Sequence, residues 1–428
     1  MSGRARLALR EFGEAVRLGD IGAHQVEQLH AQAERWRQLY GLPASPLELT
    51  RRGGSWSVRA RYLTGFASVA GLHLEILPKF LPEDAREGGT WRRALWRILL
   101  LAGDDVLLDE PTEAVRDSDA PLADLLAEAF LRSVSLGAAR GLPRGYVERE
   151  TTEPVLLGRL DESRWAELVT EPWSLPCVVD TLDEDIPINR LLRWAARHLA
   201  ADVSSPARAR ALAEWADTLA GVGVVPPRLE EARRLAHGPQ HRALAPAVEI
   251  ARLLLQSRGE AHGPGQAELQ GFLWVTERVF EALVRRVCAQ AARRLGLRTV
   301  KSSVPLGLPA RGQALRTTPD VRLLRGGRTV MVLDAKYKVE GRPTTADAYQ
   351  VIAGGKVLDC DEVALVWPVQ PGGTEDEHEW AVPGAGRPSR LSTLAVDLSR
   401  LAEPAGEQAL CGRMEEFLRA RLSAPVPR

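Results

Sequence analysis

A chain of 428 residues is too long for one ordinary hydrophobic core, and its 45% hydrophobic and 26% charged residues are those of a soluble globular protein, so two or three domains are expected. The formal net charge is zero, yet Gln266–Arg342 holds fifteen Lys/Arg against six Asp/Glu, which points to a polyanionic partner, with solvated helix faces as the plain alternative. No stretch approaches the roughly 18 apolar residues of a membrane span and no apolar signal-peptide core begins the chain, so no membrane partner and a cytoplasmic location are expected.

In chain order, "AHQVEQLHAQAERWRQLYGLP" reads as an amphipathic helix closed by Gly41 and Pro43. The next segment, Pro46 to Phe80, alternates as strands do and is broken by Gly53-Gly54, Gly65 and Gly71, which predicts two or three antiparallel strands. Trp91 to Ala102, Pro121 to Ala139, Asn189 to Ala201 and Pro206 to Leu219 carry helical periodicity, with a β-like break around "GYVERETTEPVLLGRLD". Trp91, Trp96 and Trp194 fall at helical spacing and read as core. The glycine- and proline-bearing Ser257–Glu268 is the best boundary. Beyond it the order is a long helix (Leu269 to Leu295), a strand (Thr299 to Leu306), a hairpin (Pro319 to Lys338), a helix (Thr345 to Leu358) and a strand (Glu362 to Pro368).

The fold class is therefore α/β and α+β multidomain: an α+β module at 1–115, a mainly helical middle at 116–262, and a C-terminal domain at 263–428 with a mixed central sheet flanked by helices. Cys177, Cys288, Cys360 and Cys411 form no CxxC, so neither a zinc site nor a disulfide framework is expected.

The hairpin carries the chemistry. The chain has five lysines against fifty-one arginines, and "DAKYK" spends two of the five within three positions. Lysine, unlike arginine, changes its pKa readily on burial. Centring the hairpin on Gly327 sets Asp320 opposite Asp334, Arg322 opposite Val332 and Leu324 opposite Val330. Asp320, Asp334 and Lys336 then share one face, and Val321, Leu323, Met331, Leu333 and Ala335 the apolar other. Two carboxylates and an ammonium held together suit a phosphodiesterase site. The carboxylates would hold Mg²⁺, and Lys336 would orient water or stabilise the transition state. An exposed cross-strand charge pair is the plain alternative.

"PD", thirteen residues, then "DAK" resembles the PD-(D/E)xK nuclease motif, which implies active-site roles for Asp320, Asp334 and Lys336 and a restriction-endonuclease-like C-terminal domain. With "FLWVTERVFEALVRRV", "DAYQVIAGGK", "GLHLEILPKF", "RGYVERETTEPVLLGRLD" and "DIPINRLLRWAARHL", the chain from about Ala60 to Pro368 is similar to McrC, the nuclease subunit of McrBC-type modification-dependent restriction systems. The resemblance implies a DNA endonuclease that uses Mg²⁺ or, in substitution, Mn²⁺. It also implies an N-terminal region that docks on a hexameric AAA+ GTPase and stimulates it, and double-stranded, possibly methylated DNA as substrate. It further implies Glu281 as an acidic metal ligand on the helix before the core, with Glu277 one turn earlier as the alternative, and Gln350 as a group that bonds water or phosphate. The aromatic residue usual after that glutamine is replaced by Gly354 and Gly355. Lys79, in "ILPKF", matches a motif of the N-terminal module and is expected to serve the fold or a partner interface.

No GxxxxGK[ST] is present, "AGGKV" being the nearest string, so a motor must come from another chain. Two other readings stay open: an adaptor of the GTPase with a silent nuclease, and a self-sufficient DNA-processing enzyme.

Overall fold

The computed structural model describes residues 5–19, 21–81, 90–102, 122–139, 141–235, 243–258, 270–306, 315–338, 344–383 and 388–423. The chain forms two compact units, Met1–Leu122 with Ala267–Arg428, and Ala123–Gln266. Residue 115 and most of Ser257–Glu268 lie outside the described residues. No helix among those described is long and apolar enough to cross a membrane.

The first unit opens with β1 (Ala5–Arg10), β2 (Val16–Arg17), α1 (Ala23–Tyr40), β3 (Leu47–Arg52), β4 (Ser55–Ala60), β5 (Leu63–Val69), β6 (Leu72–Leu77) and α2 (Thr90–Ala102). The segment read as two or three strands holds four. Gly53 and Gly54 (φ 55° and 85°) and Gly71 (φ 77°) reverse the chain in tight turns that leave no residues for loops. Helix α1 ends where Gly41 takes a left-handed φ of 63°. Its stripe of Val26, Leu29, Ala33 and Trp36 is buried, and Leu29, Ala33 and Trp36 pack in one core with Leu9, Leu47, Val58, Leu74 and Ile76.

The second unit contains α3 (Leu122–Ala138, from Ala123 on), β7 (Gly145–Glu153), β8 (Arg159–Leu160), α4 (Glu167–Thr170), β9 (Leu175–Asp183), α5 (Pro187–Asp202), α6 (Pro206–Thr218), α7 (Leu229–Arg234) and α8 (Ala245–Arg258). Helices dominate it, as expected. Among its described residues the one sheet, ordered β7-β9-β8, pairs β7 and β9 over nine residues.

The long helix expected from Leu269 is instead β10 (Gln270–Val275) followed by α9 (Thr276–Arg294). A short apolar run such as "GFLWV" has no period to separate buried strand from helix, and pairing decides it. β10 lies antiparallel to β5, with Phe272 opposite Phe66, and completes a sheet ordered β1-β6-β5-β10. Gly65 permits this approach: its φ is 124°, and a Cβ there would stand 2.1 Å from the Phe272 carbonyl oxygen.

Then follow β11 (Arg298–Val300), β12 (Val304–Pro305), β13 (Arg316–Thr317), β14 (Val321–Arg325), β15 (Arg328–Ala335), α10 (Thr345–Val357), β16 (Glu362–Pro368), β17 (Glu377–Val382), β18 (Ser389–Val396) and α11 (Gly406–Ser423). The expected strand Thr299–Leu306 is split in two at Lys301-Ser302-Ser303. A six-stranded mixed sheet runs β11-β14-β15-β16-β18-β17, with β15, β16 and β18 parallel. Val332, Val351, Val363, Leu365 and Trp367 form its core beneath α10. Trp91, Trp96 and Trp194 are buried, as read from their spacing.

The hairpin register follows expectation at Val321↔Leu333, Arg322↔Val332 and Leu323↔Met331, then shifts. Leu324 faces Thr329 rather than Val330, because the turn is the two-residue Gly326-Gly327 (φ 57° and 85°) and a bulge absorbs the extra residue.

A buried polar junction ties the N-terminal strands to the end of β15. The Tyr337 hydroxyl donates to Glu11, which is 1% exposed. Lys79 Nζ donates to the Tyr337 carbonyl at 3.1 Å and stands 4.0 Å from that ring's centroid and 5.0 Å from Phe12's. Arg10 in turn donates to the carbonyls of Lys79 (2.6 Å) and Leu81 (3.1 Å).

Burial pushes the Glu11 carboxyl up to about 7, with Tyr337 and Lys79 opposing. Burial also pushes Glu362 up to about 7 against Arg390. An acid raised in the folded state contributes stability that is complete below its ordinary 4.5 and lost as pH climbs through 7. The protein is therefore expected to melt lower at pH 8 than at pH 5, and Glu11→Gln to remove roughly 3 kcal/mol of that dependence. Thermal melts of both proteins across the range check this; parallel curves refute it.

Candidate active site

Asp334 is the next-to-last residue of β15, and Lys336 follows two positions on, so both side chains leave the same side of the strand. Lys336 N donates to the Val366 carbonyl at 2.7 Å, which carries the strand's course past its end alongside β16. Asp320 sits just before β14, after Pro319, and its Oδ2 accepts the Ala335 amide at 2.9 Å. A side chain thereby replaces a ladder partner, and the two carboxylates are fixed together, 7% and 5% exposed.

Lys336 Nζ lies 2.6 Å from Asp334 Oδ2, donates to Gln350 Oε1 at 2.9 Å and is 3.9 Å from Asp347 Oδ1. The Asp334 contact is a close charge-assisted one that ties the buried carboxylate to the ammonium. Burial pushes the Asp334 carboxyl up to about 6, Lys336 opposing and the neighbouring Asp320 reinforcing.

Gln350 is placed by α10, whose start is fixed by a reciprocal cap. Thr344 Oγ1 accepts from the Asp347 amide at 3.3 Å, and Asp347 accepts from the Thr344 amide at 3.2 Å. Lys338 Nζ donates to both Asp347 oxygens at 2.8 and 2.7 Å, so it serves this cap. Against its burial, Lys338 and Thr344 hold the Asp347 carboxyl below the usual range. Of Gly354 and Gly355, only the second has a packing reason. A Cβ at Gly355 would meet Val363 Cγ1 at 2.5 Å, and one at Gly354 would touch Pro319.

Glu281 projects from α9, its Oε2 3.9 Å from Lys301 Nζ, which is itself 3.6 Å from Asp320 Oδ1. Burial raises the Glu281 carboxyl, Lys301 opposes, and Glu277 and Asp334 add repulsion. Glu277 is exposed, so Glu281 is the carboxylate that faces the pair. Arg293 and Arg294 are exposed, and Arg294 pairs with Glu415 at 3.3 Å.

The structure thus gathers Asp320, Asp334, Lys336 and Gln350 tightly and Glu281 through Lys301. Asp347 and Lys301 also belong to this group, though neither is singled out by the motif. The spacing of Thr344 and Asp347 signals the first as a helix cap. The rarity of lysine signals the second: Lys79, Lys301, Lys336 and Lys338 all gather around the hairpin, and Lys356 alone pairs elsewhere, with Asp361 at 3.0 Å.

Among the described residues no group of three or more His, Cys, Asp or Glu side chains stands close enough to hold a metal ion as placed. The donor chemistry nevertheless fits a hard divalent cation: all candidates are carboxylate oxygens, and Asp320 and Asp334 hold theirs in a nearly buried place.

A family model described as "McrBC 5-methylcytosine restriction system component" matches residues 58–368. A chain of the refined half-complex from a tetradecameric assembly of Thermococcus gammatolerans McrB AAA+ hexamers with bound McrC is similar at a TM-score of 0.63 and 19% identity, over 96% of this chain and 100% of that one. A chain of the Thermococcus gammatolerans McrBC complex, solved by cryo-electron microscopy, aligns at a TM-score of 0.49 and 20% identity, over 67% and 88%. No curated protein matches by sequence.

Asp347→Ala removes the cap and the partner of Lys338 together. It is expected to cost about 1–2 kcal/mol and to speed amide exchange in the first turns of α10, where Gln350 sits. A thermal melt with hydrogen exchange measures both, and unchanged exchange counts against this role.

Proposed function

Because the chain belongs to the family of McrBC 5-methylcytosine restriction system components, we propose that it is the McrC-type nuclease subunit, a metal-dependent DNA endonuclease that works with a separate AAA+ GTPase and stimulates it. The observation that carries this reading is the convergence of Asp320, Asp334, Lys336 and Gln350 at the ends of two paired strands.

Asp320, Asp334 and Glu281 would hold Mg²⁺, with Mn²⁺ as substitute. A cation of this class offsets charge on the scissile phosphate and lowers the pKa of bound water. The side chains supply the rest. The Asp320 bond to the Ala335 amide keeps the two carboxylates in register through the reaction. Lys336, held between Asp334 and Gln350, presents a fixed positive charge to the developing phosphorane and to the attacking water. Gln350 spends its oxygen on Lys336, which leaves its amide protons to donate to a phosphate oxygen. The positive surplus of Gln266–Arg342 attracts the DNA backbone without reading sequence.

The AAA+ partner needs a docking surface. Docking is expected in the α+β module at 1–115, and the second unit offers a further candidate surface. The paired strands β7 and β9 expose Tyr146 (78%) and Leu182 (57%), which face each other in register, and Trp173 (70%) is exposed just before β9. Exposed aromatic and aliphatic side chains in such numbers suit a protein partner better than water.

Cleavage of methylated and unmethylated plasmid with Mg²⁺, GTP and the cognate AAA+ protein tests the reading. Asp334→Ala is expected to lose about a thousandfold or more of cleavage while GTPase stimulation persists. Undiminished cleavage by this variant sinks the assignment, and vigorous cleavage without the partner makes the chain self-sufficient. Tyr146→Ala with Leu182→Ala is expected to do the converse, weakening GTPase stimulation roughly tenfold with the fold intact. Full stimulation would move docking away from this ribbon.

A further inference from the structure

Lys301 has no part in that account. It lies in the break between β11 and β12, and the pairing of Val300 with Arg322 brings it to the end of β14 where Asp320 sits. Its Nζ stands 3.6 Å from Asp320 Oδ1 and 3.9 Å from Glu281 Oε2, and its side chain is 37% exposed. These are charge contacts, too long for hydrogen bonds, with the ammonium set between two carboxylates from different elements.

The charge pattern explains why a cation stands there. Asp320, Asp334 and Glu281 repel one another in a poorly solvated space, and burial with mutual repulsion raises both Asp334 and Glu281. Lys336 neutralises the Asp334 side. Lys301 does the same for Asp320 and Glu281. Asp320 and Glu281 would hold a divalent cation in the place the ammonium now occupies, and two cations cannot share it. A four-carbon stem with a third of its surface in solvent can swing out.

We propose that Lys301 is a resident counter-ion, holding Asp320 and Glu281 together before a divalent cation binds and yielding its place to that cation, so that metal loading is an exchange of ammonium for metal. This rests on the nuclease reading of the site. Lys301 is a positioning residue that acts through the two carboxylates, and it sets the metal affinity by competition.

Binding of Mn²⁺ to the full chain, followed by calorimetry and by the electron paramagnetic resonance of free Mn²⁺, tests this without any cleavage assay. Lys301→Met is expected to bind roughly tenfold more tightly than wild type, because it removes a competing charge. Its melting temperature without metal should fall and its rise on adding Mn²⁺ should grow. Lys301→Arg, which keeps the charge, should stay within about twofold of wild type. Lys301→Gln carries the same expectation as Lys301→Met and serves if the methionine variant does not fold. Equal or weaker Mn²⁺ binding by the neutral variants overturns the proposal. Asp334→Ala separates the two levels. If it weakens binding while the neutral variants match wild type, this inference alone fails; if it binds as well as wild type, the metal site itself is misplaced and both readings fall.

Discussion

The hydrogen bond from the Ala335 amide to Asp320 Oδ2 is the constraint on which the site depends. A strand that runs past its partner's end leaves an amide to satisfy, and here a carboxylate satisfies it. The same bond spends one oxygen of Asp320, turns the other toward Lys301, and holds the group beside Asp334 despite their repulsion. Two like charges this close in a buried place persist only where backbone geometry enforces it and cations stand on either side. Lys336 and Lys301 are those cations, one reached from β15 and α10, the other from the break after β11.

The surroundings hold the same balance at a second level. Lys338 and Asp347 neutralise each other at the cap of α10. Lys79 and Glu11 bracket Tyr337, the residue directly after Lys336. The ammonium of Lys79 lies against aromatic faces, where a compact charge on a thin stem fits and a planar guanidinium would need more room. Four of the chain's five lysines thus stand around this hairpin, while the buried cation of β18 is the arginine Arg390.

What could be read from the amino acids follows from which forces are local. The alternation of β14 and β15, the Gly326-Gly327 turn and Pro319-Asp320 are local signals, and the pairing near Asp320 and Asp334 follows them. The bulge near Leu324 does not, because the twist that a two-residue turn imposes is a property of the pair. β10 read as helix because its apolar run flows into α9 with no punctuation. β18 was hidden by its polar content: Ser389, Arg390, Ser392 and Thr393 are all buried, the charge of Arg390 being met by Glu362 at 3.6 Å and Glu379 at 3.3 Å. Glu281, Gln350 and the hairpin triad were reached through the resemblance and the register. Lys301 was not, since the contacts that give it meaning come from segments apart in the chain, whereas Asp347 carried a local signal in its spacing from Thr344 that went unused.

The strand β10 also orders events during synthesis. The first sheet, β1-β6-β5-β10, draws its last strand from a segment roughly two hundred residues after β5. On the ribosome, β1, β5 and β6 can associate early, but β5 then presents a bare edge through the time needed to make the whole of Ala123–Gln266. Nature's usual devices for guarding such an edge are charge, proline or brevity. Here Gly65, the residue that admits the late strand so closely, leaves no side chain on the waiting edge to obstruct its partner's arrival.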